Sequence, residues 1–170
     1  MGGSCSRNRV IVSRRRLVDL VVLVVVVGLV GYVVVARQRH ASVPVVRADP
    51  VRTPGALKPD VSQASIGQTI CRRGWTATVR PPASFTSALK RTQMEAYGEA
   101  GPTSAYQEDH LISLELGGAP DDPRNLWPEP YPRASAVDQI ENQLNAKVCS
   151  GELTLADAQR EEAALKHSRG

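Results

Sequence analysis

Glu108-Asp109-His110-Leu111-Ile112-Ser113-Leu114-Glu115-Leu116-Gly117-Gly118, closed by Asn125-Leu126-Trp127-Pro128, is the stretch on which the fold turns. It sets an acid beside a histidine, runs through apolar residues to a double glycine, and returns to an asparagine. Leu111, Ser113 and Glu115 alternate with Ile112, Leu114 and Leu116, which predicts a strand. Gly117-Gly118 through Pro123 is turn chemistry. Leu126-Trp127 then predicts a short return strand, stopped by Pro128, Pro130 and Pro132.

Helices are predicted on both sides of this hairpin. Ser135 stands three residues before Asp138, and Val137, Ile140, Leu144 and Val148 follow at helical spacing. Ala88 to Tyr97 reads as a helix ended by Gly98. A last helix is predicted from about Leu155 to Lys166, with Thr154 and Asp157 as cap and first-turn acid. The order around Asp109-His110 is therefore strand, turn, strand, helix, within an α+β domain.

The N-terminal part is different. From Leu17 to Ala36 the chain is almost wholly Val, Leu, Gly and Ala, long enough for a helix to cross a bilayer and without a polar face. Five arginines precede it (Arg7, Arg9, Arg14, Arg15, Arg16), which predicts a cytoplasmic tail at 1–16 and an outside location for the remainder. A cleaved signal peptide ending near Val34-Val35-Ala36 is the competing expectation, and would leave the domain secreted. Met1-Gly2-Gly3-Ser4-Cys5-Ser6 also fits a myristoylation pattern, as chance often allows. Residues 37–62, with Pro44, Pro50, Pro54 and Pro59, predict a semi-rigid stalk, leaving 63–167 as the folded domain.

Charge follows the same division. Up to Ala41 there are seven Arg and one Asp, net +6; from Ser42 onward fourteen Lys and Arg face sixteen Asp and Glu, net −2. The basic balance thus belongs to the membrane-proximal end and excludes a broadly basic nucleic-acid-binding surface. One local cluster stands out: Arg72, Arg73, Arg80, Lys90 and Arg91, around Trp75 and Phe85, are candidate phosphate contacts or simply a solvated face.

All six aromatics after Tyr32 lie between 75 and 131, so that interval must hold much of the core. Cys71 and Cys149 are both expected outside the cell, where a disulfide between them can persist; neither has a Cys or His at zinc-ligand spacing.

Asp109-His110, the apolar run ending Leu116-Gly117-Gly118, and Asn125-Leu126 before a helix resemble the HNH nucleases, whose catalytic unit is a ββα-metal hairpin and helix. The stretch from Thr53-Pro54-Gly55-Ala56 to about Ala163 is similar to bacterial exported HNH-like proteins, through Thr69-Ile70-Cys71, Gly74-Trp75-Thr76, Val79-Arg80-Pro81-Pro82, the Asp-His segment, Asn125-Leu126-Trp127-Pro128 and Val148-Cys149-Ser150-Gly151.

The resemblance implies a role for each matching residue. His110 becomes the general base toward water, Asp109 a ligand of one divalent ion (Mg²⁺, Mn²⁺ or Zn²⁺), and Asn125 the residue that holds the hairpin loop. It implies nucleic acid as substrate. Two positions depart from the family. Ser113 stands where a proline is common, and the early helix positions where the family places a second His or Asn ligand hold Ala134, Ser135 and Val137. Asn142 and Asn145, further along that helix, are the candidate substitutes. A non-cleaving HNH-like binding protein, or a structural envelope protein, is the alternative expectation.

Overall fold

The computed structural model describes residues 14–39 and 47–169; the N-terminal tail with Cys5 and the myristoylation pattern, and the first part of the expected stalk, lie outside the described residues. Two units separate at Ser42. In the first, helix α1 spans Arg14–Arg39. Its described side chains run from 18 to 33, and the valines, leucines and Tyr32 among them are exposed. Among the described residues no helix is long and apolar enough to cross a membrane.

The second unit is α+β, a small antiparallel hairpin among helices. Strand β1 is Tyr106–His110 and strand β2 is Leu126–Pro130, with Asp109 opposite Trp127 and His110 opposite Leu126. Helix α4, Tyr131–Ser150, leaves directly from β2. Helices α2 (Trp75–Val79) and α3 (Ala83–Tyr97) precede the hairpin, and α5 (Leu155–Arg169) follows α4.

The first strand ends at the Asp-His pair instead of starting there, a correction to the sequence reading. Residues 111–113 are irregular and Leu114–Leu116 form a 3₁₀ turn. The apolar run alternates poorly because both of its sides are buried: Leu111, Ile112, Ser113, Leu114 and Leu116 are all inside. The segment is a loop folded into the core. Its backbone groups are satisfied partly by side chains, at Ile112, Ser113, Glu115 and Leu116, and partly by turn and loop backbone, as burial requires.

Strand β2 also runs further than its prolines suggested. Pro128 and Pro130 lie within the pairing, opposite Glu108 and Tyr106. They are two residues apart and so share one side of a two-stranded ribbon, where both strands are edges and a missing N–H is tolerated. Helices α3 and α4 begin about one turn earlier than predicted; Pro132 sits in the first turn of α4, where no N–H is required. Gly98 and Gly151 close these two helices in the left-handed conformation. At α5 the Asp157 N–H donates to Thr154 Oγ1 at 3.1 Å and the Thr154 hydroxyl bonds Asp157 Oδ2, the anticipated cap.

From residue 47 onward the expected stalk belongs to the domain, while its residues 37–39 continue α1. Ala48, Thr53 and Val61 are buried. Gly55 N–H donates to Arg124 O (3.0 Å), Ala119 N–H to Ala56 O (2.9 Å) and Lys58 N–H to Gly117 O (2.9 Å). The prolines there favour extended backbone, and that backbone is used as a strap across the loop between β1 and β2.

Two apolar clusters form the core. One joins Val61, Ile70, Ile112, Leu116, Leu144, Val148, Leu155 and Ala158; the other joins Ala48, Met94, Tyr106, Leu111 and Trp127. Leu111 and Ile112, the two residues after His110, enter different clusters, so the loop ties both halves together. Cys71 and Cys149 form a disulfide of sequence separation 78. Closing a loop of that size is worth roughly 4 kcal/mol in the chain-entropy account.

Candidate functional site

Asn125 is fully buried at the mouth of the hairpin. Its Oδ1 accepts the Ile112 N–H at 2.9 Å, and its Nδ2 donates to Ile112 O (2.9 Å) and Ala119 O (3.0 Å). Leu111 N–H donates to the Asn125 carbonyl at 2.7 Å. One amide therefore fixes the path of the chain just after His110. Gly118 makes room for it: a Cβ there would overlap Ile112 O and stand 2.6 Å from Asn125 Nδ2.

His110 closes β1. Its Nε2 lies 3.0 Å from the Pro120 carbonyl oxygen. A carbonyl only accepts, so in the neutral ring Nε2 carries the proton and Nδ1 keeps its lone pair. Burial, the largest influence, lowers the imidazole below its ordinary pKa, outweighing the Pro120 carbonyl and Asp109, which favour the cation. The ring is therefore neutral at pH 7.

Two cavities meet at this residue. The larger, about 480 Å³, is walled by Arg80, Thr86, Lys90, Glu108, His110 and Tyr131 among others. The smaller, about 310 Å³, is walled by Asp109, Glu115, Asp138, Glu141 and Asn142, and shares Arg80, Gln107 and His110 with the first.

Asp109 faces an internal cation. Lys166 Nζ, fully buried, lies 2.9 Å from Asp109 Oδ2, 2.6 Å from Glu141 Oε1 and 3.3 Å from Glu162 Oε1, and donates to the His110 carbonyl. Asp109 Oδ1 accepts from Gln107 Nε2 at 3.2 Å. Burial alone would raise the Asp109 carboxyl, yet Lys166 beside it, with smaller help from its neighbours Glu129 and His110, leaves it below its ordinary value. Lys166 is in turn held well above its ordinary value: burial opposes its charge, but Asp109, Glu162 and Glu141 outweigh it.

The other acids here keep their protons. Burial first, then the negative charge of Asp109, pushes Glu129 up to about 9; neither of its oxygens has a hydrogen-bond partner, and Arg133 Nε lies 3.8 Å from Oε1. Burial pushes Glu141 to about 8, against the pull of Lys166. Glu108, at about 8 through burial, has both oxygens enclosed and without a partner.

The remaining sequence candidates divide. Asn142 lines the smaller cavity, with its Nδ2 donating to Asp138 O at 2.7 Å. Asn145 turns away, its Nδ2 donating to Glu115 O at 2.7 Å and Ile70 O at 3.4 Å. The basic cluster does not gather at His110. Arg80 lines both cavities there; Lys90 walls the larger one while its Nζ donates to Tyr106 O at 2.8 Å. Arg72 and Arg73 flank a separate depression beside Cys71 and Cys149, and Arg91 is exposed on α3.

Lys166, Glu162, Glu141 and Glu129 escaped the sequence reading. A signal existed for the first two. Leu155, Ala158, Glu162 and Lys166 are spaced three, four and four, so the inward stripe of α5 ends in two charges, and all four are buried. Among the described residues no group of three His, Cys, Asp or Glu side chains is placed to hold a metal ion. No protein-family model, curated protein or solved structure matches the chain.

Proposed function

We propose that this chain is a membrane-anchored, extracytoplasmic nuclease of the HNH type, hydrolysing phosphodiester bonds of nucleic acid with one divalent ion. The observation that carries the reading is His110, with Nε2 committed to Pro120 O, a depressed pKa and Nδ1 left as the unprotonated nitrogen. A strand ending in Asp109-His110, an asparagine-clamped loop, a return strand and a following helix support it further.

In this mechanism His110 takes a proton from water as the water oxygen bonds to phosphorus and the opposite P–O bond breaks. Arg80, whose side chain lines both cavities, supplies positive charge to the phosphate. The oxygen-bearing walls of the smaller cavity suit a hard ion that keeps most of its water, held through Asp109 and Asn142. Such an ion would offset charge developing on the phosphate and leaving oxygen. Zinc fits less well, because His110 is the one imidazole or thiol among the side chains walling this cavity.

The apolar run of Leu17–Ala36 behind five arginines supports the anchor and its orientation. The ion pair of Asp109 with Lys166 favours a second reading, a non-cleaving envelope protein of the same architecture. The two separate on purified full-length chain in detergent, given plasmid or single-stranded RNA with Mg²⁺, Mn²⁺ or Zn²⁺. Cleavage that His110→Ala reduces by about a hundredfold or more is the expected result. No cleavage by either protein, or equal cleavage by both, rejects the nuclease.

A further inference from the structure

We propose that Lys166 is the resident cation of this site: a positioning residue that fixes the Asp109-His110 pair and competes electrostatically with a divalent ion at Asp109. The assignment of catalytic consequences rests on the nuclease reading above; the cation itself rests on geometry alone.

An ammonium has three N–H donors. All three are spent: on Asp109 Oδ2 at 2.9 Å, on Glu141 Oε1 at 2.6 Å and on the carbonyl oxygen of His110 itself. Glu162 Oε1 completes the shell at 3.3 Å. This is how a small hard cation is held, by carboxyl oxygens and a carbonyl, except that the cation is tethered to α5. A lysine serving the core alone would pair with a carboxylate. This one also grips the backbone of the residue that carries the base.

Its helical neighbour extends the grip. Glu162, one turn earlier on α5, accepts the Ser113 N–H on both carboxylate oxygens, each at 3.0 Å. The backbone from 110 to 113 is thus held by three side chains in succession: Lys166 at the His110 carbonyl, Asn125 at both Ile112 groups, and Glu162 at Ser113. Two of the three come from α5, more than 45 residues further along the chain. The hairpin carries the base, and the last helix sets its position.

The ammonium has a second consequence. It neutralises Asp109 from one side and leaves Oδ1, bonded to Gln107, as the oxygen it does not touch. A divalent ion approaching Asp109 meets a fixed positive charge in a poorly screened interior, so the native site binds such ions weakly.

The test is Mn²⁺ binding to the full chain, followed by the electron paramagnetic resonance of free Mn²⁺, which requires no substrate. Lys166→Met should bind Mn²⁺ at least tenfold tighter than the native protein, because Asp109 has lost its counter-cation. Equal affinity overturns the proposal. Should Lys166→Met fail to fold, Lys166→Met with Glu162→Gln removes one charge of each sign; a tenfold gain is again expected and an unchanged affinity again overturns it. In cleavage assays Lys166→Met should lower kcat with KM for nucleic acid unchanged, and an unaltered kcat would reject the positioning role. If the native protein cleaves nothing, the nuclease reading fails while the Mn²⁺ comparison still decides on the resident cation.

Discussion

Asn125 holds Ile112 by both of its backbone groups, accepting its N–H and donating to its carbonyl, each at 2.9 Å. Two residues 13 apart thereby form a closed pair resembling one rung of a ladder, with a side chain in place of the second strand.

Replacing that amide should be costly. Asn125→Ala strands the Ile112 N–H and leaves the Ile112 and Ala119 carbonyls without their donor, all within the core. Each unsatisfied buried group costs about 1–3 kcal/mol, so a loss of roughly 3–5 kcal/mol is expected. Chemical denaturation of the native and variant chains measures it. A loss below about 1 kcal/mol would show that the clamp is dispensable.

Gly118 makes a second, sharper case. The obstacle to a side chain here is space, because the missing Cβ would collide with Ile112 O and crowd Asn125 Nδ2. Gly118→Ala should destabilise by about 2–4 kcal/mol through displaced backbone and a broken clamp. At Gly151 the φ is +79° with nothing within 4 Å of a Cβ, so Gly151→Ala should cost only about 1 kcal/mol of conformational strain. Thermal melts that rank the two substitutions the other way would contradict this account.

Stability should fall as pH rises from 5 to 9. Glu129, Glu108 and Glu141 keep protons in the folded chain up to about 9, 8 and 8. The unfolded chain releases those protons near 4.5. Over that interval the folded state binds more protons, so each added pH unit costs stability, about 1.4 kcal/mol per group fully in its window. Asp109, lowered, and Lys166, raised, keep their charges throughout. His110 acts oppositely: its folded pKa is depressed, so its contribution is lost as pH falls below about 6.5. Glu129→Gln should therefore show a shallower decline between pH 6 and 9 than the native chain. Parallel curves would mean that Glu129 is ionised in both.

The sequence was readable where chemistry is local. The helix end at Gly98 and the Thr154–Asp157 cap each depend on a few neighbouring residues, and each is present; the pairing of Cys71 with Cys149, 78 residues apart, was legible only because no other partner or zinc spacing offered itself. It misled where burial erased periodicity. Leu111 to Leu116 reads as a strand by its alternation, but apolar residues fall on both parities, and that pattern describes a loop enclosed on all sides. Pro128 and Pro130 argued against a strand only if β2 had two neighbours.

At the site, Asp109, His110 and Asn125 stand out through the resemblance of their segments to the HNH nucleases. Lys166 and Glu162 are harder to see, since a charged i, i+4 pair on a helix ordinarily marks a solvated face. Only the apolar residues at 155 and 158, on the same stripe, turn that pair inward.

The strap from Ala48 to Val61 gives the domain a mechanical entry point. Its first bond is from the Ala48 N–H to the carbonyl of Lys166 itself (3.2 Å); Asp49 N–H and the Thr53 hydroxyl then meet Tyr97 Oη at the end of α3 (3.0 and 2.7 Å), and Thr53 O meets His167 Nε2 at 2.9 Å. The next bonds run to Arg124, Ala119 and Gly117, on the loop that Asn125 clamps. Tension on the chain ahead of Ala48 is therefore delivered together to the end of α5, to Tyr97 at the end of α3 and to the base-bearing hairpin. A pull at that end bears directly on the segments that hold His110.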